Sequence, residues 1–305
     1  MGSQKFMACV KTGRVFSADG VPDDTNGMML VPVEEAEPYY EQWTRSAASP
    51  LERTGDGRFD RSHLSPERAW RLGRDYFAHC LRYGWPMTLV RQRVGAGGRI
   101  LDVGCGREIP FFRALTCDHS AVTYYKPSLY VAADLNEIKY RPHITGCETH
   151  ILDRCNVIDD PSRVPDSPFD LVVSFEVLEH MDKDDGLRFL ESLVSIARRK
   201  PEREGEPAII ALSTPVNGGA IAKNHIYEWG RSELRRAWWK LGCDVVAEYG
   251  TFANLSALVK SLTSTELEVW NSLVDYHSPH TLTGIFATKH PEAARNIAWH
   301  VEVKP

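Results

Sequence analysis

From residue 99 to about 250, short apolar runs rich in β-branched residues alternate with stretches whose apolar positions recur every three or four residues. The apolar runs predict strands over 99–103, 129–133, 149–152, 169–175, 208–213 and 243–249, and the periodic stretches predict helices around 110–116, 137–141, 184–199 and 231–241. Strands that are apolar at successive positions are expected where a parallel sheet is covered on both faces. The rhythm therefore predicts an α/β fold, a doubly wound and mostly parallel sheet, with its ligand crevice at the carboxyl ends of the central strands.

The flanks read differently. In the first thirty residues Thr12-Gly13, Asp19-Gly20-Val21-Pro22 and Asn26-Gly27 punctuate short strands and turns. A helical pattern follows over 34–43 and again over 65–93, where Ser65 offers an N-cap and Pro66 a first helical position. Trp70, Phe77 and Leu81 recur at helical spacing, which suits a helix packed on the core or a lid over a substrate pocket. Beyond 250, helical segments are expected at 253–262 and 264–276. A loop, His277-Ser-Pro-His280 to Gly284, and a last strand, Ala298–Val303, complete the chain. Three segments result: 1–98, an accessory or lid region; 99–250, the ligand-binding core; and 251–305, helices and a strand that complete the domain.

Composition narrows the function classes. The 305 residues, 43% apolar and 25% charged, match an ordinary globular protein. The apolar runs are strand-length, so no membrane partner is expected, and Met1–Met7 lacks the apolar stretch of a signal peptide. Seven scattered cysteines without a Cys-x-x-Cys pair fit reduced thiols and a cytoplasmic location. A formal charge of −5 supplies no global field for nucleic acid, although it leaves room for a local basic groove.

The chemistry begins where the first strand runs into Asp102-Val-Gly104-Cys105-Gly106, and a second strand ends at Asp134-Leu135. Glycines in that turn let backbone N–H groups approach a ligand, and an acid closing the next strand can accept ribose hydroxyls. This is a nucleoside pocket. The third glycine of a dinucleotide fingerprint is missing, since Arg107-Glu108-Ile109 follows Gly106. Acids at Asp102 and Asp153 further favour a ligand with positive charge, such as the sulfonium and amino group of S-adenosylmethionine.

Leu101–Gly106, Ala133-Asp-Leu135, Asp153 and Phe169–His180 together resemble the successive motifs of class I S-adenosylmethionine-dependent methyltransferases. The resemblance covers residues 98–250. It implies a Rossmann-like seven-strand methyltransferase sheet with N-terminal and C-terminal additions, and S-adenosylmethionine as cofactor. Asp102, Gly104, Cys105 and Gly106 would then border the methionine part. Asp134 and Leu135 would take the ribose side, Asp153 the adenine amino group, and Glu176 and Val177 the pocket floor. The spacing departs from the fingerprint: 28 residues separate Gly106 from Asp134, against about 20 in the usual pattern. The added length, with Tyr124 and Tyr125, is expected as a loop.

Two histidines are candidates for the acceptor side. His180 closes Glu176-Val-Leu-Glu179-His180, and His225 lies in His225-Ile-Tyr-Glu-Trp229. Either imidazole has the pKa range of a general base for a hydroxyl acceptor, or it simply orders its loop. The pair of motifs is also similar to small-RNA 3′-terminal 2′-O-methyltransferases. That resemblance implies a divalent metal on Glu176, Glu179, His180 and His225 and an RNA end as acceptor. No Asn/Asp-Pro-Pro-Tyr/Phe follows the fourth strand and no Pro-Cys occurs, which disfavours DNA bases. The leading expectation is methyl transfer to an oxygen or nitrogen of a small molecule without a metal. Metal-assisted methylation of an RNA end and a non-catalytic cofactor-binding protein are the alternatives.

Overall fold

The computed structural model describes residues 5–10, 12–21, 28–36, 38–39, 74–95, 97–116, 126–142, 144–198, 206–216, 221–274, 276–277 and 279–304. The expected Ser65 cap, the packing of Trp70, Phe77 and Leu81, and the loop carrying Tyr124 and Tyr125 lie outside what is described. The chain divides into two compact units, each discontinuous: 1–81 with 249–296, and 82–248 with 297–305.

In the first unit β1 (Phe6–Cys9), β2 (Val15–Ser17) and β3 (Leu30–Pro32) form an antiparallel sheet ordered β2-β1-β3. Ala8 pairs with Val15 on one side and with Val31 on the other, and all three side chains are buried. Helices Leu255–Val259, Ser264–Leu273 and Pro279–Ala287 add Leu258, Trp270, Leu282 and Phe286 to the same apolar cluster. The last helix replaces the loop expected over 277–284. Pro279 occupies its first position, where a missing N–H costs nothing, and Leu282 and Phe286 then bury one stripe of the helix.

The second unit holds β4 (Arg99–Val103), β5 (Leu129–Ala133), β6 (Glu148–Leu152), β7 (Leu171–Phe175) and β8 (Ala208–Pro215). With β9 (Cys243–Ala253) and β10 (Ala294–Val303) they make a seven-stranded sheet ordered β6-β5-β4-β7-β8-β10-β9. The pairings β4–β5, β4–β7, β5–β6 and β7–β8 are parallel. Every residue of β5, β7 and β8 is buried, which explains why their sequences are apolar except for Ser174, Ser213 and Thr214 near the carboxyl ends. This is the doubly wound, mostly parallel α/β sheet expected. Because β4 has β5 on one side and β7 on the other, the chain winds away in both directions and a crevice opens beyond the carboxyl ends of β4 and β7.

The helix Lys183–Ala197 starts at Asp182, whose carboxylate accepts the Asp185 N–H at 2.9 Å, and it buries Phe189, Leu190, Leu193 and Val194. The helical pattern before β4 forms Arg74–Leu89 and widens into a π turn, Val90–Val94. Residues 137–141 form no helix. The Ile138 amide donates to Asp153 at 2.6 Å, and the Lys139 and Tyr140 amides both donate to the Arg107 carbonyl, so the amides a helix would use point elsewhere. Among the described residues no helix is long and apolar enough to cross a membrane.

Candidate cofactor and acceptor site

A cavity of about 390 Å³ opens at the carboxyl edge of β4, β5 and β7, within the size range of small-molecule sites. Its floor begins at the end of β4. Gly104 has φ +70°, and a Cβ there would collide with Val177 Cγ2 and sit 3.2 Å from Cγ1. Gly106 also has φ +72° but meets only Pro110 at 3.9 Å. Glycine is thus required at 104 by both conformation and contact, and at 106 by conformation alone. Cys105, between them, turns its side chain into the core and does not line the cavity; burial pushes its thiol far up.

Asp134, at the end of β5, ties the two strand ends together. Its Oδ2 accepts the Gly106 N–H at 2.8 Å, and its Oδ1 accepts the Asn136 N–H at 2.7 Å and the Asn136 amide at 3.1 Å. It lines the cavity with Leu135, which is 62% exposed, and with Asn136. Asp102 lies beneath this floor, outside the lining. Tyr130 donates to it at 2.6 Å, and complete burial pushes its carboxyl up to about 7.

Asp153 is also outside the lining. Its carboxylate accepts the Ile138 N–H and pairs with Arg141 at 2.9 Å, while Cys155, Asn156 and Val157 form that wall. The sequence pattern marked the acid at the strand end but not these three residues, which reach the cavity because the chain bends back at Arg154 with φ +50°.

Glu176 follows β7 with φ +56° and lines the cavity with Val177, His180 and Met181. Its carboxylate accepts from Ser213 Oγ at 2.8 Å and pairs with the buried Arg82 at 3.1 Å. Glu179 is buried away from the cavity and accepts from Thr214 at 3.2 Å. Burial, and then the neighbouring Glu176 charge, push its carboxyl up to about 8.

The Glu179 main-chain carbonyl accepts the amides of Ile226 at 2.8 Å and Tyr227 at 3.3 Å, which docks the distant His225 segment on this turn. His180 and His225 consequently stand with ring centroids 5.4 Å apart and planes at 83°. His180 Nδ1 donates to the Asn224 carbonyl at 2.9 Å, and His225 Nδ1 lies 2.7 Å from the Glu228 carboxylate. His180 lines the cavity; His225 stands behind it. Glu228 and Asn224 were missed in the sequence, although His-x-x-Glu spacing marks Glu228 as a neighbour of His225.

Among the described residues no three His, Cys, Asp or Glu side chains gather as a metal-ligand set. The carboxylates expected to ligate are engaged by Ser213 and Arg82 in one case and by Thr214 in the other. In this arrangement both carboxylates of the expected ligand set are turned to protein partners.

A family model described as a methyltransferase domain matches residues 77–248, more than half of the chain. The chain belongs to the class I S-adenosylmethionine-dependent methyltransferases. This methyltransferase is accordingly an enzyme whose cofactor is S-adenosylmethionine. Comparison with curated proteins found no match. Among solved structures, it is similar to a SAM-dependent methyltransferase from Archaeoglobus fulgidus at 19% identity, covering 80% of this chain and 100% of that one, TM-score 0.44. It is similar to magnesium protoporphyrin IX methyltransferase from Synechocystis PCC 6803, solved with bound SAH, at 12% identity over 82% and 90%, TM-score 0.45. It is likewise similar to the small RNA methyltransferase HEN1 at 16% identity over 74% and 25%, TM-score 0.47.

Proposed function

We propose that this methyltransferase methylates a hydroxyl oxygen of a small-molecule acceptor, with His180 and His225 forming the acceptor side. The observation that carries the reading is the imidazole pair, His180 on the cavity and His225 beside it, each ring with Nδ1 engaged by an oxygen and Nε2 without a hydrogen bond among the described residues.

In this reading the cofactor lies over the Gly104–Gly106 turn, where Gly106 leaves the backbone open to it and Gly104 lets Val177 close against the turn. The Asp134 oxygens keep lone pairs beyond those given to Gly106 and Asn136, and these accept the ribose hydroxyls. Leu135 covers the adenine, and Asn156 and Val157 meet its edge in place of Asp153. Glu176 and Val177 border the methionine part. Bound there, S-adenosylmethionine supplies an electrophilic methyl group on a cationic sulfur. The protein's task is chiefly to hold the acceptor oxygen in line with that bond and to exclude water. The acceptor's C–O bond forms as the S–C bond breaks, the electron pair of the latter returns to sulfur, and the hydroxyl proton passes to a histidine Nε2.

Incubation with methyl-labelled cofactor and fractionated cell extract tests this reading. Label should enter the metabolite fraction, persist with chelator, and fall about 10²-fold or more in His180→Gln and His225→Gln while S-adenosylhomocysteine affinity stays unchanged. Label confined to the RNA fraction and lost with chelator would replace it with metal-assisted methylation of an RNA end.

A further inference from the structure

Glu228 is an acid where the surroundings are unfavourable to one. Its side chain is fully buried, while His225 keeps 15% exposure. Its two neighbours in sequence, Tyr227 and Trp229, meet edge to face with ring centroids 5.5 Å apart. A carboxylate in such a place costs stability unless it is hydrogen-bonded by a donor of matching charge, and the His225 Nδ1 is 2.7 Å from its Oε1. The backbone around it is fixed independently. Ile226 and Tyr227 donate to the Glu179 carbonyl, and the Tyr227 hydroxyl donates to Glu233 at 2.9 and 3.0 Å just inside the helix Arg231–Lys240.

The two histidines therefore differ in what stands behind them. His180 Nδ1 faces a neutral carbonyl, whereas His225 Nδ1 faces a carboxylate. The carbonyl accepts only, so His180 carries its proton on Nδ1, and an ionised Glu228 would set His225 the same way. A carboxylate in that place fixes the tautomer of the ring.

We propose that Glu228 is a positioning residue: its buried carboxyl group, 2.7 Å from Nδ1, holds His225 as the Nδ1–H tautomer and so keeps the unprotonated ring nitrogen at Nε2. The use of Nε2 toward an acceptor rests on the hydroxyl-methylation reading above; the tautomer does not.

Long-range proton–nitrogen correlation spectra of the ¹⁵N-labelled full chain test it, with His225 assigned by loss of its signals in His225→Gln. At about pH 8.5, where an ordinary imidazole is neutral, His225 in the natural protein should be protonated on Nδ1. In Glu228→Gln an amide that both donates and accepts replaces an acceptor-only group. The ratio of Nδ1–H to Nε2–H forms should then fall about tenfold or more, with S-adenosylhomocysteine affinity unchanged. His225 protonated on Nε2 in the natural protein, or a tautomer ratio unmoved by Glu228→Gln, would overturn the proposal. The spectrum of the natural protein is decisive even where a variant does not fold. Loss of methyl transfer to metabolites with the tautomer result intact would sink the acceptor reading and leave Glu228's role standing.

Discussion

Replacing Gly104 by alanine separates two costs that the structure assigns to different causes. The first is conformational: φ is +70° at Gly104 and +72° at Gly106, a region that costs an L-residue with a Cβ about 1–2 kcal/mol. The second is steric and applies only at 104. A new Cβ there overlaps Val177 Cγ2 and lies 3.2 Å from Cγ1 and 3.3 Å from Cβ, so turning χ1 of Val177 brings one branch in as the other leaves. Overpacking of this kind costs about 1–3 kcal/mol. At Gly106 the nearest atom is Pro110 Cδ at 3.9 Å, an ordinary contact. Gly106→Ala should therefore destabilise by about 1–2 kcal/mol, and Gly104→Ala by about 2–5 kcal/mol. Urea denaturation at fixed pH measures both. The double variant Gly104→Ala/Val177→Ala should recover the steric part as a coupling of about 1–3 kcal/mol. Gly104→Ala no more costly than Gly106→Ala, or a coupling of zero, would show that the close approach of Gly104 and Val177 has been misread.

The other expectations concern the cavity and its buried acids. Asp134→Asn should weaken S-adenosylhomocysteine binding about 10- to 100-fold by calorimetry, the worth of hydrogen bonds to a charged group. Asp153→Asn, whose carboxylate serves Ile138 and Arg141 outside the cavity, should change it less than about threefold; equal losses at the two positions would refute the assignment of the adenine wall. Asp102 titrates near 7 in the folded protein and near ~4 when unfolded, so between those values the native state holds a proton that the unfolded state has released. Stability should then fall as pH rises through that window, with Glu179 adding in the same direction up to about 8. Asp102→Asn should gain stability relative to the natural protein by up to about 1.4 kcal/mol per pH unit there, and parallel pH–stability curves would contradict it.

The strands that carry the cofactor half were legible because their physics is local. The stretches 99–103 and 129–133 are buried along nearly their whole length, and burial on both faces of a parallel sheet leaves an apolar run that little else produces. Local pattern failed where a residue's meaning depends on its partner. Residues 137–141 look helical until Asp153 and the Arg107 carbonyl take their amides, and the same event draws Asp153 away from the cavity. Pro279 looks like a loop until it stands first in a helix. At 137–141 the difference came from bonds between residues that sequence order keeps apart.

The acceptor half shows the same limit more fully. The glycine turn and Asp134 lie at the ends of adjacent strands, so their meeting follows once β4 and β5 pair. His225 meets His180 only because two amides of its segment converge on the Glu179 carbonyl, a contact between groups 47 and 48 residues apart that no periodicity encodes. Its partner Glu228 can be placed near His225 from the His-x-x-Glu spacing, but that its side chain is buried against the imidazole is visible only in the structure. A cofactor site built largely from backbone at strand ends tolerates few sequences and is easily read. An acceptor site hung on one docked loop can change its side chains without disturbing the sheet, so it is the half whose chemistry must be taken from distances rather than motifs.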